Sequence, residues 1–548
     1  MASPNFLCSM LKSIFSLMII GITFGVSNSI QDKPFKTSLK TLCEMSLYPI
    51  TCYHSLTPLI DSKHDSFDSL VLYKLSIQTS ITEVSRVYKD FFENGISTQK
   101  LEDLKDIRSL ISPIESCHVL FSLALHNLNW SLPTLITTVK ILETRGDYKT
   151  WLSATIANLQ TCIDGFEYAP DGVRKIVTEN LENSTKLVSN SLSIISKIDE
   201  YYTGSQDEPD RNITSDRDPA WLSFEDKKIL YDSKTMVKPD VVVAADGSGK
   251  YKTIREALNV VPLNSNRRFI IYVKKGIYNE IVRVEQNKWN VMMFGDGMDN
   301  TIVSGNLNVA SGTSTFMSAT FGALGKGFIA RDMGFQNTAG AAKFQAVALL
   351  SASDQSVFYR CKMDAYQDIL CTYSNRQFYR ECKIYGTVDF IFGFASVVIQ
   401  SSSILVKRPL PGQKNTITAQ GKSVANSISG ISIQNCNILA AENLVGVRTF
   451  LGRPWKDFST TIFMENQLGS LIDPQGWLPW IDNVTPPGTI YYAEYNNKGP
   501  GAITTNRVQW KGVRVNINPG EASKFTVKSF ISGAQWLPAT GVPFQQGL

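Results

Sequence analysis

From Pro239 onward the chain is a succession of short β-branched or aromatic runs: DVVVAA, RFIIYV, EIVRV, NVMMF, SVFY, RQFY, SVVIQ, NTITAQ, GISIQ and TTIFM. Gly, Asn, Asp and Ser separate them and no long helical pattern intervenes, so this half is expected to be all-β. The spacing narrows the choice. SVFYRC begins at 356 and RQFYREC at 376, which sets FYRC and FYREC about one 20-residue period apart. A repeat of that size predicts a right-handed parallel β-helix, each coil stacked on the one before. A β-sandwich is the alternative.

If one coil takes about 21 or 22 residues, positions that far apart lie above one another, with neighbouring strands roughly 4.8 Å apart. Gln345 and Gln367 are related by a step of 22, Asp368 and Asp389 by a step of 21. The four are therefore expected to form a polar patch on one face of three consecutive coils. Two carboxylates that close do not both ionise cheaply. One pKa rises while the other stays low, which supplies a neutral acid and an anionic nucleophile or base at the same pH. The competing reading is that each aspartate caps a turn between coils; the joint spacing with two glutamines favours the paired site.

All four histidines, His54, His64, His118 and His126, precede Pro239. A Ser-His-Asp or Cys-His mechanism within the β half is thereby excluded, as is a histidine-ligated metal there. Its cysteines, Cys361, Cys371, Cys382 and Cys436, lack the close pairs of a structural zinc site. DGSGKYKT at 246–253 lacks the GxxxxGKS/T spacing of a phosphate loop and reads as a turn before a helix. No metal and no cofactor is expected. The chemistry falls to carboxylates, amides and arginine.

At 548 residues the chain exceeds one ordinary core, so two or more domains are expected. Residues 36–197 carry few glycines and space their apolar residues helically, as in LVLYKLSIQTSITEVSRVYKDFF. This stretch reads as an antiparallel four-helix bundle. Cys43 and Cys52 lie close enough to clip a helical hairpin, and Cys117 and Cys162 to tie two helices. In an oxidising compartment two disulfides are favoured over free buried thiols. The run SIFSLMIIGITFGVSNS after Lys12 is shorter than the roughly 20 apolar residues of a membrane span, which predicts a secretory signal over 1–29, with an uncleaved anchor as the alternative. Sequons at Asn129, Asn183, Asn212 and Asn483 fit that route as glycosylation sites. No later segment is apolar enough to span a bilayer, so no stable membrane anchor is expected. The polar stretch TGSQDEPDRNITSDRDP falls in a linker, 198–238, and the β domain occupies 239–548. A net charge of +5 without a long Lys/Arg run permits attraction to an acidic polymer and argues against nucleic acid.

GIYNE (276–280), QAVAL (345–349), QDIL (367–370), DFIFG (389–393) and LGRPW (451–455) occur in the order and spacing of the plant pectin methylesterases. The resemblance covers about 239–545. The preceding region, with CEMSLYPITC and LQTCIDGF, resembles the pectin methylesterase inhibitor domain that many such enzymes carry as a pro-region. The resemblance implies that Asp389 is the nucleophile on the methyl-ester carbonyl. It implies that Asp368 is the general acid and then the base, and that Gln345 and Gln367 donate to the oxyanion. Arg453 is implied to keep Asp389 ionised and oriented, Trp455 to stack on a sugar ring and Thr315 of TSTF to contact substrate. GIYNE is expected to be structural, with Gly276 in a turn and Tyr278 packed. The sequence also departs from the family pattern at Ile369, Cys371, Tyr373, Phe344 and Phe394, where Thr, Tyr, His, His and Asn are usual. None of these removes a group that does chemistry.

The expected function is thus a secreted, cell-wall pectinesterase that acts on methyl-esterified pectin. Its N-terminal domain is expected to be autoinhibitory or a folding and secretion pro-region, and separate inhibitor proteins are further candidate partners. A binding or inhibitory protein with a degenerate esterase half is the alternative. A lyase or glycosidase is a third, and a calcium-dependent lyase would need an acidic cluster that the sequence lacks. Lys227-Lys228-Ile229-Leu230 occupies the place of the family's basic cleavage motif. Cys382 lacks its usual partner because Ser402 stands there. It is expected to be a free buried thiol, with a bond to Cys361 as the rival.

Overall fold

Short strands too apolar to face water on both sides need a partner on each edge and cover on each face, and stacked coils supply both. The computed structural model describes residues 35–60, 64–92, 108–133, 138–167, 169–203 and 238–548. In the β half, three parallel sheets of 11, 8 and 7 strands run side by side. The chain visits each in turn: Ser356–Tyr359, Lys362–Asp364 and Leu370–Thr372 make one coil, and Arg376–Arg380, Lys383–Gly386 and Ile391–Gly393 the next. Val357 pairs with Phe378 and Phe378 with Val398, steps of 21 and 20 residues. This is a parallel β-helix.

Alternation along each strand sends one set of side chains inward, where the in-register pairing stacks like on like. Phe358, Tyr379, Ile399 and Ile433 form one inner column, Met363, Ile384, Ile404 and Ile438 a second, and Leu349, Leu370 and Ile391 a third. All are fully buried. At about 1.5–3 kcal/mol for each large apolar side chain removed from water, these columns are the dominant favourable contribution of the β half. The outer face of the 11-stranded sheet is covered by the C-terminal segment, with Val357, Phe378 and Val398 packed against Val527, Ile531, Trp536 and Leu537.

The first coil is closed by the short helix Ile254–Asn259, which follows KYKT and begins with a capping box between Thr253 and Glu256. Glu280, the last residue of GIYNE, accepts from the backbone N–H groups of Ile254 (2.8 Å) and Arg255 (3.1 Å), satisfying two donors that a helix start leaves unpaired. Tyr278 is packed inside. Gly276, expected in a turn, instead opens the strand Gly276–Asn279 with φ 154, a conformation that its missing Cβ permits.

The helical half begins with a hairpin of two short helices, Leu39–Glu44 and Pro49–Leu56, bridged by Cys43–Cys52. Four long helices follow, Ser69–Phe92, Arg108–Ser131, Thr138–Asp164 and Asp171–Thr203. Cys117–Cys162 ties the second to the third. Tyr73, Ile77, Leu120, Leu152, Leu181 and Leu192 are among its core residues. No described helix is long and apolar enough to cross a membrane. The signal segment, Asn212 and Lys227–Lys228 lie outside the described residues, whereas Asn129, Asn183 and Asn483 are exposed.

Cys361, Cys371, Cys382 and Cys436 are buried and unbonded. Cys361, Cys382, Ser402 and Cys436 occupy one position of successive coils, each after a residue with positive φ (Arg360, Glu381, Ser401, Asn435). The Cys382 thiol donates to the Phe358 carbonyl at 3.3 Å, and the Ser402 hydroxyl accepts from the Cys382 N–H at 3.0 Å. Burial pushes the Cys382 and Cys436 thiols up to about 12. Alkylation of the denatured, unreduced protein is expected to label Cys361, Cys371, Cys382 and Cys436 and to spare the four bonded cysteines. A Cys382 peptide recovered linked to Cys361 would refute this.

Candidate active site

The seven-stranded sheet carries the polar patch. Asp368 and Asp389 each stand two residues before Leu370 and Ile391, which are register partners, so the aspartates occupy adjacent coils at one position. The Asp368 N–H donates to the Val388 carbonyl at 3.1 Å. Both aspartates have positive φ, 58° and 50°. Such conformations cost of order 1–3 kcal/mol each and concentrate at functional sites, and Asp tolerates them better than most residues. One coil earlier Gln345 bridges Gln367, and the Ala346 N–H donates to the Gln367 carbonyl at 3.2 Å.

The two carboxylates have different surroundings. Asp389 is buried, and the Arg453 guanidinium forks onto it: Nε donates to Oδ1 at 2.8 Å and Nη2 to Oδ2 at 2.6 Å. The Thr416 hydroxyl donates to Oδ1 at 2.7 Å and accepts from the Asp389 N–H at 2.9 Å. Asp368 has no such partner. Burial first, and then the negative charge of Asp389, hold its carboxyl well above the usual carboxylate range, against the opposing pull of Arg453 and the Gln367 amide. An arginine-paired carboxylate thus lies beside a carboxyl group that binds its proton more tightly than an ordinary aspartate.

An aromatic row follows the strands Leu370–Thr372 and Ile391–Gly393. Phe316, next to Thr315, packs on Tyr373 (5.1 Å between centroids), Tyr373 on Phe394 (6.0 Å), and Phe394 on Trp455 (5.0 Å). Thr315, next to Phe316, and Trp455 therefore stand at opposite ends of one row. Phe344, which precedes Gln345, has φ 59° and is exposed. Sequence spacing did not point to Thr416. Here the coil lengthens, Ile391 pairing with Thr418 at a step of 27, because the loop 407–414 is inserted.

The same sheet also presents an apolar column outward: Leu350, Cys371, Phe392 and Ala419 are register partners and all are buried. The helical half covers them, and the two halves share one apolar cluster. Polar contacts ring it. The Trp151 indole donates to Asp354 at 3.0 Å, Arg376 pairs with both Asp354 and Asp147, and Lys456, beside Trp455, pairs with Asp164 at 2.7 Å. Ser116 bonds Ser314, adjacent to Thr315, at 2.7 Å. The Tyr373 hydroxyl, at a position of family departure, donates to the Ala157 carbonyl at 3.4 Å.

The β half is thus a histidine-free parallel β-helix that stacks two carboxylates on adjacent coils. Comparison with known proteins sharpens this. Residues 240–534 match the family model described as Pectinesterase, and residues 37–194 the one described as Plant invertase/pectin methylesterase inhibitor. Pectinesterase 3 of Phaseolus vulgaris is 44% identical over 521 residues, 93% of this chain and 87% of its own. Pectinesterase/pectinesterase inhibitor PPE8B of Prunus persica is 42% identical over 482 residues, 85% of this chain and 90% of its own. The solved pectin methylesterase from carrot matches with 51% identity and a TM-score of 0.56, its whole chain covered by 58% of this one. That solved chain, covered in full by 58% of this one, contains no counterpart of the remainder. The chain belongs to the plant pectinesterase family, carboxylic ester hydrolases, and carries an N-terminal inhibitor-like domain.

The raised pKa of Asp368 has a consequence for stability. The folded state holds this proton to higher pH than the unfolded chain, whose Asp titrates near 3.9, so Asp368 favours folding less and less as pH rises above that value. Asp368→Asn removes the penalty. Its melting temperature relative to the parent is expected to rise between pH 4 and pH 7, and a difference that stays flat or falls would contradict the assignment.

Proposed function

We propose that this chain hydrolyses the methyl esters of pectin (homogalacturonan), releasing methanol and leaving free galacturonate carboxylates, with Asp389 as nucleophile and Asp368 as acid and base. The observation that carries this reading is the asymmetry of the pair: an arginine fork on Asp389, and on Asp368 a carboxyl whose pKa burial and the Asp389 charge push up. An Asp389 oxygen bonds to the C6 ester carbon, and the tetrahedral oxyanion takes hydrogen bonds from the Gln345 and Gln367 amides. Donors of this kind contribute about 3–4 kcal/mol each where they have been removed from other enzymes. The carbon–methoxy bond then breaks, and the methoxy oxygen leaves with the Asp368 proton as methanol. Asp368, now an anion, takes a proton from water as the water oxygen attacks the acyl–Asp389 carbon. The carboxylic acid departs and both aspartates return to their starting states. Thr315 contacts substrate and Trp455 offers a face on which a sugar ring stacks.

The helical half acts in this proposal as an inhibitor in cis, because the contacts of Trp151, Asp164 and Ser116 hold it on the face that a pectin chain would occupy. The chain is directed to the cell wall by the signal over 1–29, and cleavage after Lys228 separates helical domain 36–197 and most of linker 198–238 from the enzyme 239–548. A binding protein with a degenerate esterase half is disfavoured by the complete Gln345, Gln367, Asp368, Asp389 and Arg453 set.

Asp389→Asn, nearly isosteric and uncharged, is expected to lower methanol release from methylated pectin by at least about a thousandfold while pectin binding persists. Substantial turnover by the folded variant would sink the nucleophile assignment. The cover is tested separately. Trp151→Ala in the full chain, or scission after Lys228, is expected to raise methanol release severalfold; equal rates from covered and uncovered enzyme would show that the helical half is not an inhibitor.

A further inference from the structure

The fork of Arg453 on Asp389 fixes two of the guanidinium nitrogens in one plane but leaves the faces of that plane to be held by something else. One face is occupied. The ring centroid of Trp480 lies 4.4 Å from the guanidinium carbon, the distance and placement of a cation–π contact. Trp480 belongs to the segment LPWIDNVTPPG that follows Trp477, and that segment is tied down on both sides of the indole. The Leu478 N–H donates to the Gly452 carbonyl at 3.0 Å, next to Arg453 itself, and Asp482 pairs with Lys414 at 3.0 Å. Trp480 is 38% exposed, so the ring is not there to fill the core.

We propose that Trp480 is a positioning residue for the esterase reaction, holding the Arg453 guanidinium flat against Asp389 so that the attacking carboxylate keeps one orientation. The inference rests on the Asp389 reading above and adds a residue that neither the motifs GIYNE, QAVAL, QDIL, DFIFG and LGRPW nor the coil spacing identifies. Arg453 is a long side chain whose rotamer freedom opposes a bidentate contact. A rigid indole on the exposed side removes that freedom and excludes water from the ion pair. The rival role is a sugar platform, since Trp480 lies nearly parallel to Trp455 with centroids 6.3 Å apart. The two roles differ kinetically. A platform adds binding energy to ground state and transition state alike and is read in KM, whereas a positioning residue is read in kcat.

The test is a double-mutant cycle in the β half 239–548, with Trp480→Ala, Trp480→Phe and Trp480→Leu made in the parent and in an Arg453→Lys background. Lysine keeps the charge but offers no planar fork for the ring to hold. In the parent, Trp480→Ala is expected to lower kcat about tenfold with KM within about twofold, Trp480→Phe to retain most activity, and Trp480→Leu to behave like alanine. In the Arg453→Lys background, Trp480→Ala is expected to cost less than about twofold further. A rise in KM at constant kcat, or an equal loss in both backgrounds, would overturn the inference in favour of a sugar platform. Inactivity of the parent β half towards methylated pectin would instead overturn the esterase reading itself. Matched melting temperatures and near-ultraviolet spectra separate these outcomes from misfolding, and retention by Trp480→Leu would show that bulk alone suffices and also overturn the π contact.

Discussion

Everything at the candidate site depends on the parallel register of the coils. The ladder that pairs Leu370 with Ile391 fixes the inner column of the seven-stranded sheet. By the same stroke it sets Asp368 beside Asp389, because a slip of one residue in either strand would turn its aspartate to the other face. The carboxylates do not choose to be neighbours. Stacking of the apolar columns inside the β-helix holds them together against their mutual repulsion, and core energy is thereby converted into a perturbed titration outside.

What separates the two aspartates is placement around them. Arg453 and Thr416 hydrogen-bond to Asp389, whereas at Asp368 burial and the negative neighbour outweigh the pull of Arg453 and the Gln367 amide. A symmetric arrangement would give two equivalent acids. The arginine fork fixes the orientation of one, while burial and the negative neighbour tighten proton binding on the other, so the pair is chemically unequal. Both aspartates also adopt positive φ, a local cost that hydrogen bonding between coils sustains.

The coil step was legible because FYRC and FYREC repeat a side-chain pattern that only stacking explains, and a regular step converts sequence distance into spatial distance. The same arithmetic failed at Thr416, where the inserted loop stretches the coil to a step of 27. It was silent on Glu280, whose carboxylate caps a helix more than twenty residues earlier in the chain. It also gave no sign of the outward column Leu350, Cys371, Phe392 and Ala419. In sequence these are ordinary strand residues; only the placement of the helical half explains why an outer face is apolar. Contacts between halves, such as Trp151 with Asp354, link positions 203 residues apart and leave no periodic trace.

The cover and the face that it covers are parts of one polypeptide, and this determines the molecularity of their association. While the chain is intact, docking is a first-order event whose equilibrium is indifferent to dilution, set by the effective concentration that the tether imposes. Once the chain is severed between Thr203 and Lys238, the same contacts obey second-order mass action, and the occupied fraction falls with the amount of protein present. A single peptide-bond hydrolysis thereby changes the reaction order of the contact without altering any atom within it.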